Sequence, residues 1–140
     1  MSGAEAGVSR SVVARYSGDG VRTEVEVGGR TITADEPAEQ GGGNAGPTPF
    51  ELLYGSLGAC MVVTAAMYAR RKGWPLTGAE LRIDGVHEGY RLASARSEVR
   101  FEGDLTAAQV ERLRQIVDRC PVHQTLEQGV VFEPTTLLGD

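Results

Sequence analysis

The sequence contains 140 residues, 41% hydrophobic and 24% charged, which predicts one globular domain over residues 1–140, since two ordinary cores would need a longer chain. The formal net charge of −5 argues against a nucleic-acid-binding protein, which would carry a basic face. The N-terminal stretch has neither a basic start nor an apolar run, so we read no signal peptide and expect a cytoplasmic protein. In that compartment the two cysteines are expected to be reduced thiols.

Three short antiparallel strands are predicted in the N-terminal third. Residues 11–16 form a plausible strand, and residues 21–27 alternate between apolar and charged side chains, as a half-buried strand does. Gly28-Gly29 suits a tight hairpin turn before the third strand, residues 30–35. The Gly-rich residues 36–47 are interpreted as a mobile loop.

A long helix is predicted from Pro49 to Lys72. Thr48 and Glu51 fit a capping box at its start, and Gly73 suits its end. This helix would be about 36 Å long, as long as a small domain is wide. Because it is too apolar and too long to be covered by one small chain, we infer an intimate partner chain.

Residues 52–69 carry no charge, so a membrane-spanning helix is an alternative, but a core helix that is apolar all round fits them better. The small residues around Cys60 would let another backbone approach closely, or would leave room for a ligand. We expect Gly58 to lie at the contact with a partner helix.

The C-terminal half is predicted to contain a hairpin, a second helix and a final strand. The hairpin comprises residues 79–89 and 91–103, with His87 interpreted as a solvated residue near its turn. The second helix covers residues 104–120, and residues 129–134 are predicted as the last strand.

Cys120 precedes a proline, which favours it as the N-cap of a short helical turn. The positive end of a helix and the nearby imidazole of His123 would both lower the pKa of its thiol. The alternative is that Cys120 is a small buried hydrophobic residue, and the residues alone leave both interpretations open.

The two cysteines and two histidines suggest three kinds of chemistry. A zinc site built from Cys60, Cys120, His87 and His123 lacks the close ligand pairs of structural zinc sites, so no metal is expected. A Cys–His hydrolase at Cys120 and His123 lacks a third orienting group. Redox pairing of the two cysteines is permitted.

The run GPTPFELLYGSLGACMVVTAAMYARRKG, followed by CPVHQTL and then GVVFE, resembles the OsmC/Ohr family of osmotically inducible and organic-hydroperoxide-resistance proteins, in an OsmC-like branch with a CPVH motif. The resemblance implies an α+β sandwich, with an antiparallel sheet and a long central buried helix. It also implies an intertwined homodimer with exchanged N-terminal strands.

The resemblance implies a thiol-dependent peroxidase for organic hydroperoxides, in which Cys60 is the peroxidatic cysteine and Cys120 the resolving one. A dithiol of the dihydrolipoamide type, or another thiol, would be the reductant, and no cofactor is expected. The alternative is a non-enzymatic dimer of the same fold that binds a small apolar ligand at the interface cleft.

Three further residues are candidates for the site. Phe50 stands where the family's peroxidases carry a glutamate, so Glu51 either replaces that glutamate or serves only the capping box. The family's thiolate-pairing arginine comes from the loop after the first strand, where this chain has Asp19; Arg22, three residues on, and Arg15 are the candidates for its role. His123 either keeps Cys120 deprotonated or merely packs.

Overall fold

The computed structural model describes residues 10–139 and contains antiparallel strands and three α-helices, so the α+β prediction is confirmed. The elements in chain order are β1 (Val12–Tyr16), β2 (Thr23–Val27), β3 (Arg30–Ala34), a 3₁₀ helix (Ala38–Gln40), α1 (Pro49–Lys72), β4 (Leu76–Glu88), β5 (Arg91–Gly103), α2 (Ala107–Val117) and α3 (Pro121–Gln128). Two compact units divide the chain, one up to Gly55 and the other from Ser56.

In the N-terminal unit, the three predicted strands form one antiparallel sheet in the order β1-β2-β3. Val25, in the centre of β2, lies opposite Ala14 on one side and Ile32 on the other. Gly28 and Gly29 have φ of 55° and 78°, the left-handed values that this two-residue turn requires. The predicted hairpin between β2 and β3 is therefore confirmed.

The Gly-rich segment after β3 is folded tightly, in contrast to the mobile loop that was predicted. The buried carboxylate of Asp35 accepts hydrogen bonds from the backbone N–H groups of Glu36 at 2.8 Å, Gly43 at 3.3 Å and Ala45 at 3.0 Å. A Cβ atom on Gly42 would lie 1.9 Å from the carbonyl oxygen of Glu36. The glycines here permit close packing of backbone on backbone, which composition alone does not distinguish from flexibility.

Helix α1 has the predicted bounds, and its first turn contains the predicted capping box. The Thr48 hydroxyl accepts from the Glu51 N–H at 3.1 Å, and the Glu51 carboxylate accepts from the Thr48 N–H at 2.8 Å. Gly73 ends the helix with φ of 72°. Both ends thus follow directly from local sequence signals.

One face of α1 is buried in the C-terminal unit and the opposite face is exposed. The buried face consists of Leu57, Met61, Ala65 and Ala69. On the opposite face, Val63 is 52% exposed and Met67 is 54% exposed. By length and composition α1 could cross a membrane, but a core helix passes the same test. Within this single chain, the predicted central helix is therefore buried on one side.

Gly58 lies against β4 of its own chain, so the prediction that it contacts a partner helix is wrong. A Cβ atom at Gly58 would lie 3.4 Å from Ile83 Cδ1 and 3.7 Å from Leu81 Cδ2. The glycine therefore brings the hairpin close to α1. A run of small residues predicts a close approach, but it does not say which element approaches.

Strands β4 and β5 form the predicted hairpin, which begins earlier than expected, at Leu76. Leu81, Ile83 and Phe101 pack against the buried cluster that includes the inner face of α1. His87 is exposed near the turn, as predicted.

The end of the chain differs from the prediction in two ways. Helix α2 stops at Val117, with Asp118 as its C-cap, so Cys120 lies outside it. Residues 129–139 form no strand, and Val131 and Phe132 are 93% and 86% exposed. A strand needs a neighbour for its backbone hydrogen bonds, and within residues 10–139 none pairs with this segment.

Candidate functional site

The C-terminal unit brings the two cysteines together. The thiols of Cys60 on α1 and Cys120 before α3 lie within hydrogen-bonding reach of each other, and both are free. Cys120 is fully buried, whereas Cys60 is half-buried. The two predicted redox residues therefore form a pair of neighbouring thiols with unequal access to solvent.

Cys120 is the N-cap of α3, as its position before Pro121 predicts. Its backbone is extended, with φ of −66° and ψ of 144°. Its Sγ accepts a hydrogen bond from the backbone N–H of His123 at 3.2 Å. The sulfur thus takes the place of the side-chain oxygen that usually caps a helix.

Burial raises the pKa of the Cys120 thiol to about 11. This value already includes the smaller contributions of the neighbouring Cys60, which raises the pKa, and of the backbone N–H groups of His123 and Val122, which lower it. The expectation that the helix end and the imidazole would lower this pKa overall is wrong, because loss of hydration outweighs the amide contacts. At neutral pH Cys120 is therefore a protonated thiol.

His123 touches the cysteine pair through its backbone amide. Its ring points elsewhere: Nδ1 lies 2.9 Å from Glu127 Oε1, one turn along α3, although the pair lacks hydrogen-bond angles. The contact that stabilises a Cys120 thiolate is consequently a main-chain contact, which any residue with an N–H could supply.

The other candidate residues, Glu51 and Arg22, lie in the N-terminal unit, where each has a local partner. Glu51 completes the capping box of α1. The Arg22 Nε lies 2.8 Å from Glu24 Oε1, and this contact raises the pKa of Arg22. Arg15, the alternative arginine, lies 2.6 Å from Glu26.

The cysteine pair lies in apolar surroundings, as its place on the apolar helix predicts: Leu57 and Met61 belong to the same buried cluster as Cys120, and Val122 packs against it. One feature of the C-terminal unit was not predicted, a group of basic side chains around Tyr68. Its members come from α1 and from the region of α2, so no local motif joins them.

The comparisons with known proteins identify the family. The family model for OsmC-like proteins matches residues 41–135, which is most of the chain and includes both cysteines. This chain therefore belongs to the OsmC-like protein family. No curated protein sequence matches it.

Solved structures with the same fold are only distantly related in sequence. An OsmC-like protein from Mycoplasma pneumoniae matches with a TM-score of 0.74 at 21% identity, covering 86% of this chain and 88% of that one. An organic hydroperoxide resistance protein OsmC from Legionella pneumophila matches with a TM-score of 0.63 at 17% identity, covering 87% and 91%. An OsmC-like hydroperoxide resistance protein from Jannaschia sp. CCS1 matches at 0.53 and 16% identity, covering 92% and 91%. These likenesses confirm the fold.

Proposed function

We propose that this protein is a thiol-dependent peroxidase that reduces organic hydroperoxides to alcohols, with Cys60 and Cys120 as its redox couple. The observation that carries the proposal is the neighbouring pair of free thiols, one half-buried and one fully buried. Family membership supports a role in peroxide resistance, because two of the similar structures are named hydroperoxide resistance proteins.

In the first step the Cys60 thiolate attacks the terminal oxygen of the hydroperoxide ROOH. An S–O bond forms while the O–O bond breaks, and the leaving alkoxide takes a proton to become ROH. Cys60 is thereby oxidised to a sulfenic acid, the first stage of thiol oxidation. Cys60 is the more accessible of the two thiols, which favours it as the attacking residue.

In the second step Cys120 attacks the Cys60 sulfur. A disulfide forms and the hydroxyl of the sulfenic acid leaves as water, together with the Cys120 proton. The raised pKa of Cys120 keeps its thiol protonated and unreactive until the sulfenic acid forms next to it. The buried position therefore suits a resolving cysteine better than an attacking one.

A dithiol then reduces the disulfide by thiol–disulfide exchange, which regenerates both thiols and leaves the reductant as a disulfide. The apolar surroundings of the pair, which include Leu57, Met61 and Val122, favour an organic peroxide over hydrogen peroxide. A reductant of the dihydrolipoamide type also has an apolar body that suits such a site.

The working form is proposed to be a homodimer in the cytoplasm. The exposed face of α1, with Val63 and Met67 more than half exposed, is an apolar stripe on the side of the helix opposite the core. A second copy of α1 would bury that stripe, as a helix that is apolar on both faces requires.

The roles of the remaining candidates are proposals. Arg22, or Arg15 in its place, would stabilise the Cys60 thiolate, and Glu51 would hold the arginine or the peroxide. His123 would assist Cys120 through its amide contact. Replacing each arginine separately by methionine and following the pH dependence of Cys60 alkylation tests the first of these roles. If neither replacement changes that dependence, the arginine assignment is wrong.

Steady-state consumption of cumene hydroperoxide with a dithiol tests the activity. The wild type should turn over and Cys60→Ser should be inactive. Without the dithiol, Cys120→Ser should consume one equivalent of peroxide and then stall as the Cys60 sulfenic acid. If the wild type consumes no peroxide, the enzymatic proposal fails. The remaining candidate would then be the non-enzymatic dimer that binds a small apolar ligand.

A further inference from the structure

Basic side chains gather around one tyrosine at the C-terminal end of α1. Tyr68 has Arg71, Lys72 and Arg112 near its ring, and the charge of Arg119 also acts on its phenol. These residues, together with Trp74, are called the Tyr68 cluster. The cluster is independent of the peroxidase proposal.

Direct contacts hold the centre of the cluster in place. The Arg112 Nε donates a hydrogen bond to the Tyr68 hydroxyl oxygen at 3.1 Å. The Trp74 ring meets the Tyr68 ring edge-on, with centroids 5.5 Å apart and an interplanar angle of 70°. The charged groups of Arg71, Lys72 and Arg112 lie 5.8, 5.6 and 5.5 Å from the ring centroid. The phenol is therefore fixed at the middle of a cationic surface.

The positive charge of the cluster is not balanced by carboxylates. Within residues 10–139, the ion pairs of the chain involve other basic residues, and none joins Arg71, Lys72, Arg112 or Arg119 to an acid. The negative end of α1 offsets only about half a charge. The Tyr68 cluster is therefore a local region of positive charge in a chain whose net charge is −5.

Hydrogen-bond donors remain available in the cluster. Arg112 donates from its Nε to Tyr68 and from one terminal nitrogen to Gln115 at 3.2 Å. Its other terminal nitrogen remains available as a donor. Among the described residues, no hydrogen bond occupies the side-chain donors of Arg71, Lys72 or Arg119. The Tyr68 oxygen accepts from Arg112, so its own proton is free to be donated.

We propose that the Tyr68 cluster binds a phosphate group. Several cations with free N–H donors match the multiple oxygens and double charge of phosphate better than a single carboxylate. The cationic neighbours also lower the pKa of the Tyr68 phenol, with the Arg112 hydrogen bond as the main cause. The phosphate is either free or part of a small phosphorylated molecule.

Trp74 is the only tryptophan of the chain, so its fluorescence reports directly on this site. Inorganic phosphate or glycerol 3-phosphate is titrated at constant ionic strength, with chloride as the balancing anion. We expect a saturable fluorescence change. Tighter binding of glycerol 3-phosphate supports a phosphorylated molecule as the ligand, and equal or weaker binding supports free phosphate.

Matched variants distinguish a specific phosphate site from non-specific electrostatic attraction. Lys72→Gln and Arg112→Gln should each raise the dissociation constant about three- to tenfold. Arg96→Gln removes the same charge from an exposed position on β5, and it should leave the dissociation constant unchanged. Because Lys72 is exposed, Lys72→Gln should fold, and it tests the phosphate site even if Arg112→Gln does not fold. The proposal is overturned by a wild type that shows no saturable response beyond that of chloride, or by an Arg96→Gln effect equal to that of Lys72→Gln.

Discussion

The thiol of Cys120 lies within hydrogen-bonding reach of the thiol of Cys60, although sixty positions separate them in the sequence. Helix α1 presents the first thiol in a half-buried position, and the N-cap of α3 presents the second in a fully buried one. This asymmetry assigns different chemical tasks to two residues of the same type.

The first prediction concerns stability at high pH. Burial raises the pKa of Cys120 from 9.0 to about 11, so the folded chain holds this proton more tightly than the unfolded chain. The resulting stabilisation is complete below about pH 9 and is lost as the pH rises towards about 11. The loss should total roughly 3 kcal/mol. Urea unfolding of the reduced protein across this range measures it.

In Cys120→Ala, the free energy of unfolding should fall much less between neutral and alkaline pH than in the wild type. In Cys60→Ala, most of the fall should remain. Other groups titrate in the same range, so the effect of Cys120 is taken from the difference in pH dependence between each variant and the wild type. Equal pH dependence in the wild type and in Cys120→Ala would show that burial does not control the thiol.

The second prediction concerns assembly through the exposed face of α1. Val63→Glu places a charge on the apolar stripe, so it should convert a dimer at micromolar concentration into a monomer or an unfolded chain. Val86→Glu is the control, because Val86 on β4 is equally exposed in the single chain, at 52%. Light scattering gives the masses. A wild type that is a stable folded monomer contradicts the inferred dimer.

The third prediction separates the two interpretations of Glu51. Its carboxylate accepts the Thr48 N–H in the capping box, and glutamine can make the same contact. Thr48→Ala should therefore cost about 1 kcal/mol of stability, and Glu51→Gln should cost little. If Glu51 serves only the cap, Glu51→Gln should also retain peroxide consumption. A lower rate at unchanged stability would instead place the carboxylate in the reaction.

The fourth prediction concerns acid. The backbone N–H of Ala45, with those of Glu36 and Gly43, holds the pKa of Asp35 below its usual range. The stabilisation from this lowered pKa is present above the ordinary carboxyl pKa and is lost as the pH falls through the lower, folded value. Asp35→Asn should be less stable at neutral pH and should show a weaker acid dependence. Glu39→Gln, an exposed change in the same segment, is the control; if it behaves like Asp35→Asn, the explanation fails.

Local signals predicted much of the fold. The capping box at Thr48, the glycine after Lys72 and the two glycines between β2 and β3 each determine a boundary through contacts within a few residues. The position of Cys120 as an N-cap was predictable for the same reason, because Pro121 follows it.

What could not be predicted depends on long-range packing. The orientation of Gly58 towards β4, the compact Gly-rich segment around Asp35 and the missing strand after Gly129 all depend on which distant elements lie alongside. The pKa of Cys120 differs from the sequence-based expectation for a related reason. The sequence indicates the nearby helix end, but it does not indicate how completely the thiol is removed from water.

Intact-mass spectrometry after one equivalent of cumene hydroperoxide tests the Cys60–Cys120 couple most directly. The wild type should lose about 2 Da per chain, the two hydrogens given up when a disulfide forms, and peptide mapping should join Cys60 to Cys120. Cys120→Ser should instead gain about 16 Da or more, as Cys60 stops at a sulfenic acid or oxidises further. A wild-type chain of unchanged mass, with both thiols still free to react with an alkylating agent, would contradict the redox couple.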